Sequence, residues 1–308
     1  METRRLVKAG QTSHTISLPK DWITKNNLKK GDSVYITSKS DTELLVTTSS
    51  EQKASEKKEK TINIDGKDME TIQRDITSAY LNNYSTITLI GNGVTQKTKE
   101  IRKILHDFVA LEISEQTSMR IVAKDLLNLQ EISLQKTINR MDLIIRTMID
   151  DTLLSFDGKE LQESIQYRDY DVNRLYFLLS RLLKGSLKDP MLADQLGIKK
   201  DEVLSYWYLV VNLENLADYI KNISELGRTK DKQAKKIIEM IQRNYLDTMK
   251  AHNNKDRVLA DSVIKKRTEI QEECERLKNP EINAVVRAIT TAINNIAKTV
   301  IDAEETKE

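Results

Sequence analysis

The chain of 308 residues is long enough for two or three domains, and its 39% hydrophobic and 31% charged content describes a helix-rich protein with charged outer faces. Only 3 Pro and 9 Gly occur, which excludes a loop-dominated fold and predicts long unbroken helices. The net charge of +2 excludes a uniformly basic surface, but residues 1–30 hold seven Lys and Arg against Glu2 and Asp21, a local basic patch.

The opening METRRLVKAG lacks the apolar core of a signal segment. Residues 3–8 and 14–18 read as short strands around a turn at Gly10, and Pro19 is expected as the first helical residue of KDWITKNNL. LKKGD turns the chain at Gly31, and SVYITS and ELLVTT follow as strands either side of a polar turn at Asp41. So small a unit, residues 1–49, cannot bury a core alone and is expected to dimerise. Residues 50–60 are almost wholly polar and read as a linker.

Residues 61–130 alternate: a strand at TINID, a helix from Asp68 to Asn82, a strong strand at TITLI, a helix from Thr95 to His106, then strand material in LEISEQTSMRIVAK. This predicts a small α/β segment. Within it GNG at 91–93 follows a strand but lacks both the dinucleotide fingerprint and the Lys-Ser/Thr of a phosphate loop, and reads as a turn.

From residue 131 to 308 the pattern is helical. Leu134, Ile138, Met141, Ile145, Met148 and Thr152 recur at steps of three or four, and the same spacing returns in 175–183, 203–226, 237–249 and 282–301. Breaks at Asp157-Gly158, Asp189-Pro190, Gly227 and Asn279-Pro280 predict about five or six helices in an antiparallel bundle. LENLADYIKNI at 213–223 aligns with INNIAKTVIDA at 293–303, a weak internal repeat. The longest uncharged apolar stretch, Val203 to Leu213, falls far short of the ~20 residues of a membrane span, so any membrane role is expected to run through a partner. Trp207 with Tyr206 and Tyr208 in that stretch reads as core. The single cysteine, Cys274, excludes an internal disulfide and fits a reducing cytoplasm. His14, His106 and His252 are scattered without metal or catalytic spacing. No nucleophile–base pair or substrate cradle is apparent, and an enzyme is not expected.

KAGQTSHTISLPKDWITKNNLKKGDSVYI closely resembles the AbrB/SpoVT family of swapped-hairpin regulators, in the strand–turn–strand, the SLPKDW helix start, the LKKGD turn and the two closing strands. The resemblance implies two chains interlaced into one barrel that presents basic residues to DNA. The positions carried over are Arg4, Arg5, Lys8 and Lys20, suited to neutralising phosphates. Without DNA, the same unit is a dimerisation module with a solvated basic face.

Residues 134–304 resemble the PhoU family of phosphate-uptake regulators, which implies two three-helix repeats carrying acidic pairs on facing helices that bind metal. LENLADYIKNI supplies Glu214 and Asp218, and RDYDVNRL supplies Asp169 and Asn173 on the partner helix. Residues four apart share a helix face, and oxygen donors from two facing helices suit a divalent or iron-type cation (Mg, Mn or Fe). Read without the resemblance, such i,i+4 acids are most often just exposed. The second repeat departs from the pattern: Asn294, Lys298, Arg267 and Gln271 stand at the matching positions and include no carboxylate, so at most one metal centre is expected.

The whole arrangement resembles archaeal relatives of PhoU. It implies a multidomain α+β protein: an AbrB-like swapped-hairpin barrel, an α/β segment and a PhoU-like all-α bundle. The expected function is a homodimeric, cytoplasmic, phosphate-responsive regulator that binds DNA and senses metal, ligand or transporter state through the bundle. The alternative is an adaptor that does not bind DNA and docks on a phosphate transporter ATPase or signalling kinase.

Overall fold

The structure, a computed structural model, describes residues 3–10, 12–40, 42–48, 58–128, 131–226 and 231–303. The turn at Asp41, residues 50–57 of the expected linker and the break at Gly227 lie outside the described residues. The protein is multidomain α+β, with a small N-terminal β region and a C-terminal helical region. It divides into two compact units, 1–57 and 58–308.

The N-terminal unit contains two antiparallel hairpins, β1 (Val7–Lys8) with β2 (His14–Thr15), and β3 (Tyr35–Ser40) with β4 (Glu43–Thr47), around the six-residue helix α1 (Lys20–Lys25). The first two strands are much shorter than the sequence pattern suggests. Pro19 is the residue before the helix rather than its first member: its ψ of 134° is extended, and the helix begins at Lys20. Among the residues of this unit whose side chains are described, none is buried. Leu6, Ile16, Ile36 and Leu44 are between 55% and 70% exposed.

The second unit opens with a four-stranded sheet in the order β5-β6-β8-β7, from β5 (Glu59–Asn63), β6 (Thr86–Ile90), β7 (Leu111–Gln116) and β8 (Arg120–Asp125). β5 and β6 are parallel, joined through α2 (Met69–Leu81); the other neighbours are antiparallel. Helix α3 (Val94–His106) connects β6 to β7. Ile62, Ile64, Ile87, Leu89, Ile121 and Ala123 alternate along their strands and bury one sheet face against Ile72, Ile76 and Tyr80 of α2 and Ile101 and Leu105 of α3. β5 begins at Glu59, inside the segment expected as linker.

GNG is a turn held from below. The Asp65 carboxylate accepts from the Gly93 N–H and the Asn92 amide, each at 3.3 Å. At φ +147°, a Cβ on Gly91 would fall 2.5 Å from Asp65 Oδ1, so glycine is required. The start of α3 is thus filled by the protein's own anion rather than open to a phosphate.

Among the described residues seven helices follow: α4 (Leu134–Phe156), α5 (Gln162–Ser186), the short α6 (Pro190–Leu196), α7 (Val203–Leu226), α8 (Lys232–Asn254), α9 (Arg257–Glu275) and α10 (Pro280–Asp302). Their starts are written in the sequence. Ser133, Asp189, Asp231, Asp256 and Asn279 each accept from a first-turn backbone N–H, and Pro190 and Pro280 occupy first-turn positions where no N–H is needed. All six apolar-step residues from Leu134 to Thr152 are buried. Trp207 and Tyr206 pack against the bundle core, as the apolar pattern suggests, while Tyr208 is 43% exposed. The aligned segments of the internal repeat lie on α7 and α10, which pack against each other and are linked by an Asn295-to-Asn212 hydrogen bond of 3.1 Å. Among the described residues, no helix is long and apolar enough to cross a membrane.

The α/β segment and the bundle share one unit because α5 reaches into both. Arg181 interrupts the apolar run of α5 and is 5% exposed. Its guanidinium pairs with Asp125 at the end of β8, donates from Nε to Asn83 Oδ1 at 2.9 Å, and lies 4.6 Å from the Tyr80 ring centre. The Asn83 amide returns a 3.3 Å hydrogen bond to the Arg181 carbonyl. Phe108 stacks between Tyr80 and Phe177, at 4.7 and 5.2 Å.

Candidate functional site

The acidic cluster lies where α5 faces α7. Asp169 projects from α5 and is 6% exposed. On α7, Glu214, Asp218 and Lys221 follow at steps of four and three and share the face turned toward Asp169. The Lys221 ammonium lies between two of the acids, 2.7 Å from Asp169 Oδ2 and 2.7 Å from Asp218 Oδ1. Asp169 Oδ1 is buried without a partner. Asn173 is half-buried one turn farther along α5.

The charges perturb one another strongly. Burial pushes the Glu214 carboxyl up to about 7, reinforced by the negative charges of Asp218 and Asp169. Burial also raises Asp169, with Lys221 pulling in the opposite direction. For Lys221 burial works against the charged form, but hydrogen bonds to Asp169 and Asp218 outweigh it and hold the ammonium above its ordinary range.

Three of the four expected ligands, Asp169, Glu214 and Asp218, are therefore neighbours, but two of them, Asp169 and Asp218, already hold a cation. A divalent ion bound there would have to share these carboxylates with the Lys221 ammonium, which adds a positive charge beside it. The residues present do not fit a metal, and among the described residues no group of three or more His, Cys, Asp or Glu is arranged to hold one. Lys221 sits inside the LENLADYIKNI motif, and the sequence reading passed over it. The available signal was its spacing, three residues after Asp218 and seven after Glu214, which returns it to the same helix face. In the second helical set Asn294 is buried, Arg267 and Gln271 are half-buried, and Lys298 is exposed.

In the N-terminal unit Arg4, Arg5, Lys8 and Lys20 are all exposed, Lys8 on β1 and Lys20 at the start of α1. Cys274 is buried, and burial pushes its thiol up to about 11, which leaves it unreactive.

Residues 138–227 match the PhoU domain family, a stretch running from α4 to the end of α7. Residues 13–54 match the antidote-toxin recognition MazE family of bacterial antitoxins. The chain is a PhoU-like protein with an N-terminal domain of the AbrB type. Two curated proteins from strains of Streptococcus pneumoniae, each named a phosphate-specific transport system accessory protein PhoU homolog, are 29% identical to it over 109 residues. That stretch is 34% of this chain and 48% of each relative, so the chain spans about half the length of the curated relatives it matches. No solved structure matches the chain.

Proposed function

We propose that the protein is a regulator of phosphate uptake that acts as a homodimer and binds DNA through its N-terminal domain, with the helical unit as the sensing part. The observation that carries this reading is the state of the N-terminal unit. None of the residues whose side chains are described there is buried, and Leu6, Val7, Ile16, Ile36 and Leu44 are more than half exposed. A second copy interlaced with the first would cover that apolar surface, and two copies would bring Arg5, Lys8 and Lys20 together as a symmetric basic face. The link to phosphate rests on the PhoU match and on the name of the Streptococcus relatives.

The helical match also favours a second reading, in which this unit docks on a phosphate transport component and the N-terminal domain serves only to dimerise. DNA retention separates the two. Changing Arg4, Arg5 and Lys8 together to Ala is expected to weaken DNA binding and to flatten its salt dependence by about three counterions. Binding to DNA that is absent, or unchanged in the triple variant, would remove this patch from DNA recognition and leave the docking reading.

A further inference from the structure

We infer that Lys221 is the resident cation of the acidic cluster, so that the first helical set is held together by an internal ammonium and takes up no divalent metal. Two carboxylates from different helices, Asp169 on α5 and Asp218 on α7, converge on one Nζ at equal distances of 2.7 Å. That is bridging geometry: one positive charge cancels the repulsion across the α5–α7 seam. Asp169 and Lys221 expose 9% and 24% of their side chains, so the pair is shielded enough for its attraction to count. Lys221 reaches the cluster from the same helix as Asp218, one turn on, and needs no rearrangement of the fold to do so.

The second helical set lacks the acids and the need for such a cation together. Asn294 stands where Glu214 does in the aligned segments, Lys298 where Asp218 does, and Ile301 where Lys221 does. Where the carboxylates are gone the bridging lysine is gone as well, which is the pattern expected if Lys221 serves the acids. The inference is independent of whether the N-terminal domain binds DNA.

Asp169 Oδ1 is buried and unpartnered already. Removing the ammonium would free Asp169 Oδ2 and Asp218 Oδ1 beside it, with Glu214 next to both. A set of clustered carboxylates without a counter-charge repels itself.

The test is thermal unfolding of the full chain with and without Mn²⁺, with elemental analysis of the purified protein. The wild type is expected to carry no stoichiometric metal and to show no shift in Tm with Mn²⁺. Lys221→Met is expected to lower Tm by about 5 °C, and Lys221→Met/Asp169→Asn to recover part of that loss, since the buried carboxylate left without its counter-charge is then gone. Should Lys221→Met not fold alone, refolding yield of the two variants reads the same comparison. Metal bound to the wild type, a rise in its Tm with Mn²⁺, a Lys221→Met protein as stable as the wild type, or a double variant no more stable than Lys221→Met would each overturn the inference.

Discussion

The two units of this chain solve the problem of burying apolar surface in opposite ways. Residues 58–303 close two continuous cores on themselves, one beneath the β5–β8 sheet and one through the bundle, with Ile64, Ile87, Ile145, Leu213 and Ile293 fully buried. The N-terminal unit carries a comparable alternation of apolar residues and buries none of those whose side chains are described. The difference is one of scale. Two short hairpins and a six-residue helix cannot offset the conformational entropy of folding alone, whereas helices of more than twenty residues stack enough surface to do so. Under the proposed reading a second copy completes the first unit, whereas the second unit does not need one.

The largest expected effect breaks the self-sufficiency of the second unit. Arg181→Met leaves the Asp125 carboxylate without its buried partner at the junction between sheet and bundle. The expected loss is about 3–5 kcal/mol in urea unfolding of the 58–308 unit. A loss under about 1 kcal/mol would mean that the two parts are held by the Tyr80–Phe108–Phe177 stack rather than by the ion pair.

A smaller effect sharpens the contrast directly. The chain has two tryptophans, Trp22 in the N-terminal unit and Trp207 on α7, so each unit has its own fluorescent reporter once the other is changed to Phe. Unfolding followed at Trp22 is expected to depend on concentration, losing about 1.4 kcal/mol of apparent stability per tenfold dilution. Unfolding followed at Trp207 is expected to be indifferent to dilution. Equal behaviour at both sites would dissolve the comparison.

The smallest effect is a pH dependence confined to the second unit. The Glu214 carboxyl is raised in the folded state, so folding favours its protonated form. Its contribution is fully present below the unfolded value of about 4.3 and is lost as pH rises through about 7. Because Glu214 is only half-buried, the contribution is about 1 kcal/mol after screening. Above pH 7 Glu214→Gln is therefore expected to be more stable than the wild type by that amount in urea titration. Below pH 4.5 the two are expected to converge. A difference that grows toward acid would reverse the sign of the argument.

Much of the architecture is legible in the residues because it is locally encoded. The 3.6-residue spacing of Leu134, Ile138, Met141 and Ile145 marks a buried helix face, and Asp189-Pro190 and Asn279-Pro280 mark helix starts by the donors they satisfy or omit. The strands Thr86–Ile90 and Arg120–Asp125 follow from short β-branched alternation. Sheet order does not, since β8 inserts between β6 and β7 through pairings set by tertiary packing. The site shows the same division. Spacing brings Glu214 and Asp218 to one face, but only the packing of α5 on α7 reveals that Lys221 closes on Asp169, fifty-two positions away in sequence. Arg181 is a similar case. A charge inside LLSRLL is visible in the sequence, while its partners Asp125 and Asn83 are not.

Helix α5 joins these two places. Asp169 and Arg181 stand twelve residues apart on one unbroken rod, a span of ~18 Å. One end is clasped to α7 through Lys221 and the other to the sheet through Asp125. The two grips are joined by continuous helix rather than by a loop. The α/β segment thus shares a helix with the acidic cluster, and its Asp107 also accepts a hydrogen bond from Tyr170, the immediate neighbour of Asp169.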